Sequence, residues 1–250
     1  MGRKYANSPI IDAVAEIRFE ATKWDGAIPG IIWQDEQIRL EFGKRQDVHD
    51  LGFQLASRPE VVVQTLRPQD RVRYGREDDT AFMEVARDIV AVHHLRPYPT
   101  WERFKPLIQK GIDAYVRAAQ PGRIQRAGLR YVNRIEFDGD RVELEDYFEF
   151  RPYLGSELPH DYGPFMVGAE FPFSDNRDLL RLQLTSTVPE KQGQMPVILD
   201  LDYYTARPGA LEIGDIPAWL EQAHSHVEEV FEACISERMR AMLQEVKGQC

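Results

Sequence analysis

Cysteine is nearly absent from this chain, which excludes the simplest covalent and metal-based scaffolds. The two cysteines are Cys234, inside a helical pattern, and Cys250. A disulfide framework, or a zinc site built on cysteines, needs more thiols than these. Cys234 stands between the apolar residues Phe231 and Ile235, which predicts a buried, inert thiol.

Long apolar runs are absent too. No stretch approaches the roughly 18 to 20 apolar residues that a helix needs to span a bilayer. The first residues, MGRKYANSPIIDAV, lack the apolar core of a signal peptide. We therefore expect a cytoplasmic protein with no membrane partner.

The familiar signatures of catalysis and phosphate binding are also missing. The chain has no GxGxxG or GxxxxGK[ST] phosphate loop, no GxSxG nucleophile elbow and no HExxH zinc motif. The sequence thus predicts no cofactor and leaves enzyme activity uncertain, with the missing motifs arguing against it. The formal net charge of −10 repels phosphate backbones, so a nucleic-acid partner is not expected.

The chain does contain an order of predicted strands and helices that occurs twice. Alternating apolar and polar residues over Ala13–Glu20 predict a half-buried strand. Apolar residues at three- and four-residue spacing predict a helix over Trp101–Ala119. After Pro121-Gly122, the pattern restarts with a predicted strand over Gly128–Phe137. The other predicted strands are Val61–Leu66, Val72–Gly75, Ala81–Val85, Ile89–Leu95, Phe165–Phe173, Leu179–Val188 and Val197–Tyr204. The other predicted helices are Ile31–Phe42, Leu144–Phe150 and Ile216 to about Val246, and 43–59 is predicted to be a loop.

This order predicts an α+β fold of two related units, residues 1–120 and 121–250, tightly packed as a pseudo-duplicate. Each unit would be an antiparallel β-meander with a long amphipathic helix on one face. Each approaches its long helix through an Arg-Pro pair and begins it with a tryptophan, Trp101 or Trp219. By analogy, the order resembles a helix-grip or TATA-binding-protein-like duplication. The alternative is one irregular α+β domain whose halves resemble each other by coincidence.

Several motifs in order resemble a sporadically distributed family of uncharacterised bacterial proteins about as long as this chain. The motifs are HLRPYPxWExF from His94, GLRYVNRIE from Gly128, LDLDYY from Leu199 and FEACISER from Phe231. The resemblance covers Tyr5 to Met242 and implies no particular activity or catalytic residue. The family's patchy distribution implies horizontal transfer, as for phage-defence or toxin–antitoxin genes.

Period-two patterning gathers polar residues on one face of the second unit's predicted sheet. They are Arg130, Arg134, Glu136, Glu170, Arg181, Gln183, Thr185, Asp200, Asp202 and Tyr204. This field is either a solvated face of cross-strand ion pairs or a surface that binds a protein partner or a small polar ligand. A third interpretation places Mg²⁺ between Asp200, Asp202 and Glu170. No residue is assigned as a metal ligand.

Asn133 departs from the apolar side of its strand, which it shares with Tyr131 and Ile135. A polar side chain at a buried position must find hydrogen-bond partners, in an irregular loop or bulge or inside a cavity. His224 and Glu228 stand four residues apart on a predicted helix, where a contact is geometrically possible.

The function that these features favour is a non-catalytic cytoplasmic binding module for a protein partner, including a second copy, or for a small polar ligand. Such a module would suit a phage-defence or toxin–antitoxin operon. The alternative is a metal-dependent hydrolase or nuclease acting through Asp200, Asp202 and Glu170 with Arg130 or Arg134. Sequence-specific DNA binding is not expected, because no helix-turn-helix pattern is present.

Overall fold

The computed structural model describes residues 3–20, 22–49, 70–139, 141–159 and 163–246. These residues form an α+β fold with a single large antiparallel sheet. The strands are β1 Ile10–Phe19, β2 Lys44–His49, β3 Asp70–Gly75, β4 Ala81–Ala86, β5 Ile89–Leu95, β6 Ile124–Asp138, β7 Met166–Phe173, β8 Asp178–Ser186 and β9 Gln194–Thr205. The α-helices are α1 Ile28–Gln34, α2 Glu36–Glu41, α3 Trp101–Ala119, α4 Ile216–Cys234 and α5 Glu237–Leu243. Short 3₁₀ helices span Leu144–Asp146 and Ile213–Asp215.

The nine strands form one continuous sheet in the order β2-β3-β4-β5-β1-β6-β9-β8-β7. β1 and β6 pair near its middle, with Ala15 opposite Leu129. β5 flanks β1 on one side, and β9 flanks β6 on the other. Residues before and after position 120 therefore share one sheet and its hydrogen-bond ladder.

Alternation along the strands determines which face of this sheet is covered. Ala13, Ala15, Ile17 and Phe19 of β1 are buried on the same face, as period two requires. α3 packs on this face against β5, and α4 packs on it against β9. We call this side the covered face and the opposite side the open face. Among the described residues, no helix is both long and apolar enough to cross a membrane.

The predicted helix over Trp101–Ala119 is confirmed at both ends as α3. Eight of the predicted strands are confirmed as β1 and β3 to β9, with both ends within about four residues of the predicted ones. The predicted strand Val61–Leu66 and the residue Cys250 lie outside the described residues.

Three helix predictions were wrong in extent. The predicted helix Ile31–Phe42 is two helices, because Asp35 has an extended backbone and its side chain accepts a hydrogen bond from the Gln37 amide that begins α2. The predicted long helix from Ile216 likewise stops at Cys234, and the Ser236 side chain caps α5. In both cases a capping residue interrupts an apolar period that runs on without a break.

The third is Leu144–Phe150, where only the 3₁₀ turn Leu144–Asp146 is helical. The predicted loop 43–59 was also wrong over its first residues, because Lys44–His49 forms β2 opposite β3. The rest of that loop lies outside the described residues.

The segment before β1 is joined to the segment after α5 by backbone hydrogen bonds. The amides of Ala6 and Asn7 donate to the carbonyl oxygens of Gln244 and Leu243, each at 3.0 Å. The Val246 amide donates to the Lys4 carbonyl at 2.7 Å. This junction fixes residues 4–7 beside α4.

Candidate functional site

The polar residues predicted to share a face do lie together on the open face. Arg130 is opposite Asp202 on β9, and Arg181 is opposite both Asp202 and Glu170. Tyr204 lies on the same face, beside Glu170. The prediction of a common polar face is confirmed, and its carboxylates and guanidinium groups alternate across the strands.

These open-face groups are engaged with one another. Arg130 donates two hydrogen bonds to Asp200, at 2.8 and 2.5 Å, and Arg126 donates to both oxygens of Asp202, at 3.0 and 2.8 Å. Burial raises the pKa of the Asp202 carboxyl, and the charge of Arg126 offsets only part of that effect. Each aspartate thus has its own arginine.

The outer strands repeat this arrangement. Arg181 donates to Glu170 at 3.0 Å, and the Tyr204 hydroxyl donates to the same oxygen at 2.9 Å. Those hydrogen bonds lower the pKa of Glu170.

Arg134 of β6 is nearly buried, and its guanidinium group donates to Glu136 at 2.9 Å and to the Val188 carbonyl at 3.1 Å. In the described ranges, no group of three or more His, Cys, Asp or Glu side chains is arranged to hold a metal ion.

Asn133 faces the other way, into a cleft of about 420 Å³ on the covered face. Its amide donates to the carbonyl oxygens of Leu199, at 3.1 Å, and Tyr131, at 3.5 Å. The cleft opens between α3, α4 and the segment before β1, and we call it the interhelical cleft. Its principal lining side chains are Tyr98, Trp101, Tyr131, Asn133, His224 and Phe231.

A chain of polar contacts runs along one wall of the interhelical cleft. The hydroxyl oxygens of Tyr98 and Tyr131 are 3.2 Å apart, and the Tyr131 hydroxyl is 3.2 Å from His224 Nδ1. His224 Nε2 lies 3.2 Å from a Glu228 carboxylate oxygen. We call these four residues the Tyr–His chain. Trp101 stacks on the His224 ring with 4.3 Å between ring centroids, which holds the imidazole in place.

Local structure explains why these side chains meet. Tyr131 and Asn133 are two residues apart on β6 and therefore point to the same face. His224, Glu228 and Phe231 recur at three- and four-residue spacing, which puts them on one side of α4. Strand β6 and helix α4 thus position these side chains, and the segment before β1 and the connection before α3 complete the lining.

Burial further favours the protonated form of the two tyrosines in the Tyr–His chain. It raises the pKa of the Tyr98 hydroxyl, and raises that of Tyr131 well above the ordinary tyrosine value. Both hydroxyls therefore keep their protons at neutral pH. The chain is a set of hydrogen-bonded neutral phenols ending at an imidazole and a carboxylate.

Sequence reasoning identified Asn133 but missed Tyr98, Trp101, Tyr131 and His224 as members of a site. The available signal was the polar Asn133 on an apolar strand face, together with the His224–Glu228 spacing on a helix that covers the same sheet. No protein-family model and no curated protein matches the chain, so these comparisons identify no relative with a similar site.

Proposed function

We propose that this protein is a non-catalytic cytoplasmic binding module that takes a small organic ligand into the interhelical cleft. The observation that carries the proposal is the cleft itself, about 420 Å³ in volume and lined by aromatic rings around Asn133. Ligand sites in proteins are typically concave, mostly apolar and about 300 to 1,000 Å³ in volume, with a few polar groups that orient the ligand.

The rigidity of the cleft wall supports this proposal. Tyr98 packs edge-on against Tyr131 with ring centroids 5.7 Å apart, and Trp101 lies flat on His224. The Trp101 indole N–H is fixed by donating to Glu221 at 3.0 Å. Rings held in this way lose little freedom when a ligand arrives, which favours binding.

Binding of a neutral fluorescent probe, N-phenyl-1-naphthylamine, tests the proposal. We expect saturable one-to-one fluorescence enhancement in the native chain. Val227 lines the cleft and is almost fully buried, so Val227→Phe would fill part of the cavity and weaken probe binding at least about tenfold. Val230→Phe is the matched control, since it adds the same atoms on α4 outside the cleft lining.

Both variants are compared with the native chain by thermal unfolding, so that loss of the fold is not mistaken for loss of the cleft. Equal probe binding by the native chain and folded Val227→Phe would contradict the proposal. A probe that binds neither protein would do the same.

A protein partner on the open face is the second candidate. It is supported by Met166, which is 68% exposed on the edge strand β7, opposite Thr185 of β8. Co-purification with the product of an adjacent phage-defence or toxin–antitoxin gene would support it. A Met166→Lys variant that retained such a partner at full affinity would remove the open face as the docking surface.

The metal-dependent hydrolase or nuclease is the remaining alternative. It predicts metal-dependent turnover that Asp202→Asn abolishes. Glu136→Gln is the control, because Glu136 is another open-face carboxylate and was not assigned to the reaction.

We also propose that the chain is an internal duplication with units 1–120 and 121–250, of the helix-grip or TATA-binding-protein-like kind. Strand order supports this. In each half the first strand, β1 or β6, is central, the next strand is outermost, and later strands step inward until the last pairs with the first. Each half then ends in a long helix. An overlay of β1–α3 on β6–α4 that required a different strand order would contradict the proposal.

A further inference from the structure

The direction of hydrogen bonding in the Tyr–His chain decides what the interhelical cleft offers a ligand. A carboxylate accepts and cannot donate, so Glu228 favours the His224 tautomer that carries its proton on Nε2. Nδ1 is then an acceptor, and the Tyr131 hydroxyl donates a hydrogen bond to it. The Tyr131 oxygen in turn accepts a hydrogen bond from the Tyr98 hydroxyl, which has no second hydrogen to donate.

Tyr98 is therefore left with an oxygen that can accept but has no proton to give. The same is true of Asn133. Its amide hydrogens are directed at the carbonyl oxygens of Leu199 and Tyr131, so Oδ1 is the atom that remains. Within the part of the chain that the structure describes, the side-chain hydrogen bonds of Asn133 are these two, and neither involves Oδ1. Two fixed acceptors thus line the cleft.

The charges at the cleft rim favour the same kind of ligand. Glu102, Glu228 and Glu232 bring three carboxylates to the lining, against the two cations Arg3 and Lys4. Arg3 is already engaged by Glu232 and by Glu245, which lies outside the lining. Glu232 also accepts from Arg240 and from the Tyr5 hydroxyl. In the described part of the chain Glu102 and Glu228 form no ion pair with an arginine, although the Thr100 hydroxyl donates to Glu102 and His224 contacts Glu228. Exposed Lys4 opposes these two carboxylates.

We infer that the cleft binds a small organic cation, an amine or amidine on an apolar frame, whose N–H groups donate to Tyr98 and Asn133. This inference rests on the proposed function. Aromatic rings add to it, because the faces of tryptophan and tyrosine attract cations within about 6 Å. An anionic group placed against Tyr98 and Asn133 would meet two acceptors and would leave their lone pairs unpaired, which is costly in a site shielded from water.

Three probes that share an indole frame separate charge from shape. They are tryptamine, a cation at neutral pH, the neutral 3-ethylindole, and the anion indole-3-propionate. By isothermal titration calorimetry we expect tryptamine to bind at least about tenfold more tightly than 3-ethylindole, and indole-3-propionate to bind most weakly.

A tyrosine variant locates the acceptor. Tyr98→Phe keeps the ring and removes the oxygen, so it should weaken tryptamine binding about five- to tenfold and weaken 3-ethylindole binding by clearly less. Tyr153→Phe is the matched control, because Tyr153 is 92% exposed and does not line the cleft. Thermal unfolding checks that both variants are folded.

The possible outcomes distinguish the two proposals. If none of the three indoles binds, and the neutral fluorescent probe does not bind either, the proposed function fails. If 3-ethylindole or indole-3-propionate binds as tightly as tryptamine, the cleft is a ligand site but the inference about its ligand is wrong. Equal loss of tryptamine and 3-ethylindole binding in Tyr98→Phe would also overturn it.

Discussion

The two faces of the sheet differ in how their polar side chains are paired. The open face carries many charged groups, and in its second half Arg130 pairs with Asp200 and Arg126 pairs with Asp202. The covered face carries few polar groups, yet Asn133 and Tyr98 line a cleft there, and the hydrogen-bond direction inferred above leaves each of them an acceptor atom. Polar groups that pair with one another have little hydrogen-bonding capacity left for a ligand, whereas an acceptor beside a cleft retains it.

Solvent explains the contrast. An ion pair near water contributes roughly 0 to 1 kcal/mol, because screening and lost side-chain entropy offset the attraction between its charges. Under the helices, a polar group without a partner costs about 1 to 3 kcal/mol. The two faces should thus respond very differently to equivalent substitutions.

The largest expected effect is at Asp178, a fully buried carboxylate beneath α4. It accepts from the Tyr203 hydroxyl at 3.0 Å, the Trp219 indole at 3.2 Å and Arg177 at 2.6 Å. Asp178→Asn keeps the side-chain volume and removes the charge. It also replaces one carboxylate oxygen, an acceptor, by an amide nitrogen, which can only donate. We expect the free energy of unfolding to fall by about 3 kcal/mol, measured by urea denaturation.

Glu170→Gln on the open face is its matched control. Glu170 also has hydroxyl and guanidinium partners, but its side chain is 45% exposed. Its loss should stay below about 0.5 kcal/mol. Equal losses for the two variants would mean that the faces do not differ as described.

An intermediate effect is expected at Glu84, an open-face residue whose side chain is only 9% exposed. Burial by itself would raise its pKa, but hydrogen bonds from Arg73 and Arg71 more than offset this and hold the pKa below the ordinary value. The folded pKa is depressed, so the carboxylate stabilises the fold at neutral pH, and this contribution is lost as the pH falls through the folded pKa.

We therefore expect Glu84→Gln to lower the free energy of unfolding at neutral pH by about 1 to 2 kcal/mol. The gap to the native chain should narrow as the pH falls below the ordinary glutamate value of 4.5. Denaturation at several pH values measures both. A gap that widened in acid would contradict the assignment.

Among the three mostly buried carboxylates Asp178, Glu84 and Asp202, the smallest effect on stability is expected at Asp202. Burial raises its folded pKa above the ordinary value of 3.8, so the ionised carboxyl is disfavoured on folding. The stabilising contribution linked to its protonation is present below the unfolded pKa and is lost as the pH rises through the folded pKa. Arg126 retains Glu16 as a partner at 3.4 Å. Asp202→Asn should hence change the free energy of unfolding by less than about 1 kcal/mol at neutral pH. A loss as large as that of Asp178→Asn would refute this.

Much of the fold follows from local patterns. Trp101–Ala119 shows a helical period and Gly128–Phe137 shows alternation, and these patterns depend only on neighbours in sequence. The pairing of β1 with β6 does not follow, because it joins strands more than a hundred residues apart. The break at Asp35 was missed since the apolar period runs through it, and one hydrogen bond to the Gln37 amide decides the boundary.

The candidate site was predicted less well than the fold. Period two correctly placed Arg130 and Asp200 on one face, but it does not say that they pair with each other. The interhelical cleft needs Tyr98, Tyr131 and His224, which come from a connecting segment, a strand and a helix. Their meeting depends on how α3 and α4 lie on the sheet, and no local pattern contains that information.

The junction between residues 4–7 and residues 243–246 also determines which parts of the fold can form early during synthesis of the chain. Tyr5 lines the interhelical cleft, and it is held there by a β-bridge to Glu245. Ribosomal synthesis makes these two residues at opposite ends of a long interval, so the sheet's central pair β1–β6 can form well before this wall of the cleft. Under the proposed function, ligand binding therefore requires that residues 243–246 have been synthesised and joined to residues 4–7, whereas the β1–β6 pair does not require them.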